Sequence, residues 1–178
     1  LGKPDTTKII DGVIKSHGHE IAGVEIAKKF LKRITAKKDL IDAVLKLVRH
    51  HMAPGTFAQQ NASLRAYKRL AIKLSPEVNI EMLTKLAFAD RRGRNGQANF
   101  PLDDAQPEIQ EFLNRAKEAQ VLFEKEPPVL LGRDFLDVLS KGPDLGEAVK
   151  LAYKLQIDDS IKDKEKLKEL VLDKVGKK

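Results

Sequence analysis

The chain holds only four histidines among its 178 residues, and they fall in two pairs. His17 and His19 sit in Ser16-His17-Gly18-His19-Glu20, and His50-His51 follow about thirty positions later. Asp90 comes some forty residues further on, within Ala89-Asp90-Arg91-Arg92-Gly93-Arg94. Paired imidazoles with a carboxylate from another helical segment suit a divalent metal that activates water against a phosphoester, or a bound phosphate. Arg91, Arg92 and Arg94, spaced by Gly93, suit phosphate oxygens through their paired N–H donors. Asp90 can serve as a ligand or as the ion-pair partner of those arginines, and the pattern leaves both open.

Such groups need rigid elements to hold them, and the periodicity predicts helices almost throughout. Ile21, Val24, Ala27, Phe30, Leu31 and Ile34 form one stripe over His19–Ile34 at three- and four-residue spacing. Asp39 can open a second helix, where Leu40, Ile41, Val44, Leu45 and Val48 repeat the pattern into Arg49-His50-His51 before Pro54-Gly55 breaks it. His51 lies three residues after Val48, on the apolar stripe, and His50 points roughly 100° away. Leu64, Tyr67, Leu70, Ala71 and Leu74 give a third helix. Ser75-Pro76-Glu77 reads as the start of a fourth, carrying Val78, Met82, Leu83, Leu86 and Ala87 toward Asp90. The stretch 91–106 reads as a polar loop with glycines. Pro107 opens a longer helix with a stripe of Ile109, Phe112, Leu113, Ala116 and Phe123, ended by Lys125-Glu126-Pro127-Pro128. Shorter helices are expected near 133–140, over 143–156 and over 164–175. With no convincing strand alternation and no internal repeat, the predicted class is all-α.

Charge is unevenly shared. Residues 1–97 hold 19 Lys/Arg against 9 Asp/Glu, a net of +10, and the remainder holds 14 against 17, a net of −3. A basic half of this kind fits a polyanion-binding face, and a solvated lysine-rich helical surface accounts for it equally. Arg65, Lys68, Arg69 and Lys73 share one helix face at i, i+3, i+4 and i+8. Zero cysteines exclude disulfides and thiolate metal sites and fit a cytoplasmic protein. Without Trp and with two Tyr, a surface of stacked aromatics is not expected. No apolar run reaches the length of a membrane span.

Two separated stretches resemble the tRNA nucleotidyltransferase (CCA-adding) and poly(A) polymerase family, in the subgroup carrying an HD domain. The first runs through Leu1-Gly2-Lys3-Pro4-Asp5-Thr6-Thr7, Asp11-Gly12 and Ser16-His17-Gly18-His19-Glu20 with Gly23. It continues in Leu47-Val48-Arg49-His50-His51-Met52 and Ala89-Asp90-Arg91-Arg92-Gly93-Arg94. It is similar to the segment right after the family's histidine–aspartate doublet, where a small hairpin or loop precedes the helix. The second is Pro127-Pro128-Val129-Leu130-Leu131-Gly132-Arg133-Asp134-Phe135-Leu136, then Gly142-Pro143-Asp144-Leu145-Gly146 and Gln156. It is similar to the C-terminal tRNA-binding region of these enzymes.

The resemblance implies an HD-domain-like helical region over 1–97, a connecting loop and helix over 98–126, and a tRNA-binding-like helical region over 127–178. It implies His17, His19, His50, His51 and Asp90 as HD-site remnants, with His50 and Asp90 as metal ligands. Arg65, Lys68, Arg69, Arg91, Arg92, Arg94 and Arg133 would contact RNA. The family's doublet, its earlier histidine and the paired carboxylates of its catalytic head have no counterpart in these residues, so a C-terminal fragment of a longer enzyme is expected. Mg²⁺, ATP and CTP would belong to that head, and a divalent metal to an intact HD site. The implied partner is tRNA, on its acceptor and T-arm side. Metal-dependent phosphohydrolase activity of the parent and a non-catalytic scaffold with self-association are the alternative roles.

Overall fold

A computed structural model describes residues 2–93 and 106–175. Among the described residues the regular elements are helices and one two-stranded hairpin, an all-α bundle as periodicity predicts. The chain divides into two compact units, Leu1–Lys125 and Glu126–Lys178.

The first unit begins with α1 (Lys3–Thr6) and a hairpin of β1 (Lys8–Ile10) and β2 (Val13–Lys15), in register Lys8 with Lys15. The hairpin is one of the two forms, hairpin or loop, that the resemblance implies before the helix, although periodicity does not mark it. Its strands are only three residues long and carry apolar side chains on both faces, so no alternation marks them. α2 (His19–Ile34) then packs on α3 (Lys38–His50). Its buried positions are His19, Gly23 and Ala27, whereas Ile21, Phe30 and Ile34 of the expected stripe stay 54, 56 and 65% exposed. Small residues face inward because backbone passes close by. A Cβ on Gly2, whose φ is +78°, would stand 2.3 Å from the His19 carbonyl and 2.6 Å from the Gly23 nitrogen.

Beyond α4 (Ala53–Gln59), α5 (Leu64–Leu74) and α6 (Ile80–Gly93) comes α7 (Pro107–Glu118). α7 packs on α4, α5 and α6, and buries Ile109, Phe112 and Ala116. Phe57, Tyr67 and Phe112 meet edge-on or tilted at 5.1–5.8 Å, the aromatic centre of a core completed by Leu74, Ile80 and Leu83. α6 starts later and ends later than its pattern suggests. Asn79, not Ser75, caps it, its Oδ1 accepting from the Met82 N–H at 2.9 Å. Its last turn takes in Arg91 and Arg92, which the sequence assigned to a loop. α7 stops short of Phe123 because Gln120 turns left-handed (φ +58°) and the Val121 N–H bonds back to the Ala116 carbonyl. Phe123 is left 65% exposed.

In the second unit a short 3-10 helix (Gly132–Phe135) and α9 (Lys164–Val175) pack on α8 (Pro143–Asp159) around Leu130, Phe135, Ala152, Leu155, Leu167 and Val171. Gln156, 1% exposed, ties the Pro127-Pro128 segment to α8. Its Nε2 donates to Glu126 Oε1 and the Pro127 carbonyl, both at 2.9 Å, and its Oε1 accepts from the Val129 N–H at 2.8 Å.

Candidate functional site

Gly18 adopts φ +78° ahead of α2, so His19 enters the helix in its first turn with its ring turned back over the preceding loop. There its Nδ1 lies 2.7 Å from the Ser16 carbonyl. His51 stands at the C-terminal end of α3, its Nδ1 2.7 Å from the Val48 carbonyl. A carbonyl only accepts, so each Nδ1 carries a hydrogen, and in the neutral form of each ring Nε2 presents a lone pair. The two Nε2 atoms face one another at 3.1 Å, with the rings edge to face at 5.1 Å. Two lone pairs at that distance repel unless a proton or a cation lies between them. Glu20 Oε2, 3.8 Å from His19 Nδ1, adds negative charge beside the pair.

The pair borders a cavity of about 210 Å³ lined also by Lys3, Val48, Leu86 and Asp90. A second cavity, of about 140 Å³, lies against His51, Thr56, Gln59, Asp90 and Arg91. Asp90 and His51 thus stand on both. Arg91, which lines the second cavity, pairs with Glu108 at 3.1 Å. Among the described residues no three His, Asp or Glu side chains are grouped to hold a metal ion.

Of the residues singled out from sequence, the structure brings together His19, His51 and Asp90. His50 lines neither cavity. One helical step turns it elsewhere, and burial, then the positive charges of Lys73, Arg49 and Lys46, hold its pKa below the ordinary 6.5. Such surroundings disfavour a cation at His50. His17 is exposed in the turn before α2. Arg65 and Arg69 are exposed on α5, with Lys68 half-buried beside them, and Arg92 is exposed at the end of α6. Arg94 lies outside the described residues. Arg133 is exposed on the 3-10 helix, where Asp134 Oδ2 accepts from the Leu131 N–H at 2.7 Å and so caps the turn. Lys3 and Gln59 were not anticipated at the cavities. Lys3 sits in the quoted Leu1-Gly2-Lys3-Pro4 run, but only the close approach of Gly2 to α2 brings it beside His19.

Comparison with known proteins relates the chain to the tRNA nucleotidyltransferases. It is 28% identical over 178 residues to a CC-adding tRNA nucleotidyltransferase of Thermus thermophilus, covering 97% of this chain and 37% of that protein. It is 30% identical over 145 residues to a multifunctional CCA protein of Halorhodospira halophila, covering 76% of this chain and 30% of that one. The chain spans about a third of the length of these curated relatives. No family model and no solved structure matches it.

Proposed function

We propose that this chain is the tRNA-holding part of a nucleotidyltransferase that completes tRNA 3′ ends with CCA or part of it. The observation that carries the reading is similarity over nearly the whole chain to an enzyme named for adding CC to tRNA. The net charge of +10 over residues 1–97 fits a partner whose backbone is phosphate. In this reading Arg65, Lys68, Arg69, Arg91, Arg92, Arg94 and Arg133 bind phosphates of the folded tRNA and orient its acceptor and T-arm side. The 3′ end is thereby presented to a transfer centre that uses Mg²⁺, ATP and CTP. Charge contacts of this kind hold and position an RNA without reading its bases.

The test is titration of labelled tRNA with the purified chain, alongside an unstructured RNA of equal length. The expected result is preferential, salt-sensitive tRNA binding with no nucleotide incorporation by the chain alone. Replacing Arg91, Arg92 and Arg94 with Gln should weaken binding to every tRNA alike. Absence of tRNA binding at low salt overturns the reading, and unchanged affinity in the triple variant removes that arginine cluster from it.

The His19–His51 pair favours a second reading, a metal-assisted phosphohydrolase site of the HD type. Metal-bound histidines characteristically donate their other ring N–H to a carbonyl, as both rings do here. His19 and His51 would hold a divalent ion through Nε2 as its two protein ligands, with the remaining positions left to water or a phosphate oxygen. Such an ion, when bound, supplies Lewis acidity toward a phosphoester and acidifies water. Lys3, on the same cavity, would meet the charge of a phosphate. Cobalt(II) titration followed by visible absorption tests the pair: the expected signal is lost in His51→Ala and kept in His50→Ala. An equal signal in both variants, or none in the parent chain, removes the metal.

A further inference from the structure

Among the described residues, the densest run of exposed cations is not on α5, where the resemblance looks for RNA contacts. It is at the corner where α2 turns into α3. Lys28, Lys29, Lys32, Arg33, Lys37 and Lys38 fall within eleven residues, all exposed. No ion pair engages any of the six among the described residues. Several cations elsewhere are partnered, among them Lys46 with Glu77, Lys85 with Glu81, Arg91 with Glu108, Arg115 with Glu118 and Lys168 with Asp137.

Local structure concentrates these charges. Lys28 with Lys32, and Lys29 with Arg33, are i, i+4 neighbours on α2, and like charges at that spacing destabilise a helix by a few tenths of a kcal/mol per pair. The Thr35 Oγ1 accepts from the Lys37 N–H at 3.1 Å and shapes the turn. α3 then starts at Lys38 with no side chain capping its first amides. Free amides at the start of a helix add to the positive field of the corner. Lys28, Lys32, Arg33 and Lys38 line one open recess together with Ile34 and Ile41. The acids that face it are Asp42, which lines it, and Asp39 in the first turn of α3, with Glu25 one turn before Lys28. Six cations against three carboxylates leave the corner net positive.

We infer that this α2–α3 corner is a docking site for the phosphate backbone of structured RNA, a second contact region apart from the arginines of α5 and α6. Unpaired cations drawn from two helices and a turn, around a recess, match a polyanion whose charges are spaced along a strand. The site binds by charge and shape, without base readout. It rests on the tRNA-holding reading, of which it supplies the location of the strongest phosphate contact.

The experiment compares the full chain with two quadruple variants of equal charge loss. One replaces Lys28, Lys32, Arg33 and Lys38 with Gln at the corner, and the other replaces Lys141, Lys150, Lys154 and Lys166, all exposed on the second unit. Every position is exposed, so circular dichroism and thermal unfolding should match the parent. tRNA affinity is measured over a salt series. The expected result is at least a roughly tenfold loss for the corner variant. Its slope of log affinity against log salt should be shallower by about three, since each lost phosphate contact removes about 0.7–0.9. Parent-like behaviour is expected of the second-unit variant. Equal behaviour of the two variants, with the parent still binding tRNA, overturns the corner and leaves the tRNA-holding reading standing. A parent that binds no tRNA overturns both. A corner variant that keeps RNA affinity but loses binding to phosphatidylserine vesicles assigns the corner to lipid headgroups and overturns the RNA site.

Discussion

At the scale of single residues, hydrogen-bond inventory decides what each group can do. His19 and His51 have the same environment at Nδ1, a carbonyl at 2.7 Å, and therefore the same open valence at Nε2. His50, one position away, has cations around it instead. Periodicity already pointed to His51 as the inward member of the pair. Position in the resembling motif pointed to His50, because a motif carries no rotation angle. Lys46 and Glu77 make a different kind of pair. The Lys46 ammonium donates to the Ser75 carbonyl at 2.7 Å, the Leu74 carbonyl at 3.2 Å and the Glu77 carboxylate, joining α3 to the end of α5. The hydrogen bond from Lys46 holds the Glu77 carboxyl below its ordinary pKa of 4.5. A depressed carboxylate binds fewer protons folded than unfolded, so its stabilisation is present above pH 4.5 and is lost as pH falls through the folded value. Urea unfolding at neutral and at acidic pH should show a smaller acid loss in Glu77→Gln than in the parent.

At the scale of elements, packing overrode local pattern wherever close approach or burial was at stake. α2 shows an apolar stripe, yet its packed face is Gly23 and Ala27, because the Gly2 backbone and α3 come too near for larger side chains. α7 carries Phe112, a side chain with no exposed surface, into the first unit's core. Phe112→Ala should therefore cost about 3–5 kcal/mol, from lost transfer energy and the cavity left behind. Urea denaturation followed by helical signal measures it. Gln156 plays the corresponding part in the second unit, by hydrogen bonds in place of apolar area. Gln156→Ala strands the Val129 N–H and the Pro127 carbonyl, and should destabilise by about 1–3 kcal/mol. A probe in the second unit, such as Tyr153 fluorescence beside its Glu126 contact, should report that loss.

At the scale of the whole molecule, the two units carry different charge. The basic surplus lies in the first, with α2, α3 and α5 bearing most of it. Polyanion binding by such a surface releases counterions, so affinity falls with salt along a straight line on logarithmic axes. If six or more phosphates are neutralised, tRNA affinity should drop by about a thousandfold between 50 and 200 mM salt. A flat salt profile would mean that charge is not what holds the RNA. Arg133→Gln, in the second unit, should change that slope by no more than about one contact's worth, which a matched titration reads directly. No helix among the described residues is long and apolar enough to cross a membrane.

Sequence alone determined the helical class, the second unit's three helical segments and the charge asymmetry. Each depends on local periodicity, turn chemistry or composition, which any stretch of chain displays without its neighbours. The resemblance to tRNA-end-adding enzymes was legible too, since Ser16–Glu20, His50-His51 and the Pro127–Leu136 run keep order and spacing. Only the tertiary structure decided which histidine faces which. A contact between His19 and His51, 32 residues apart, depends on how α2 and α3 cross, and that depends on glycine-sized gaps that no periodicity encodes. It likewise decided that six neighbouring cations at the α2–α3 turn lack an ion pair while Lys46, Lys85 and Lys168 find carboxylates. Pairing across elements is set by distance in space, and a sequence records only distance along the chain.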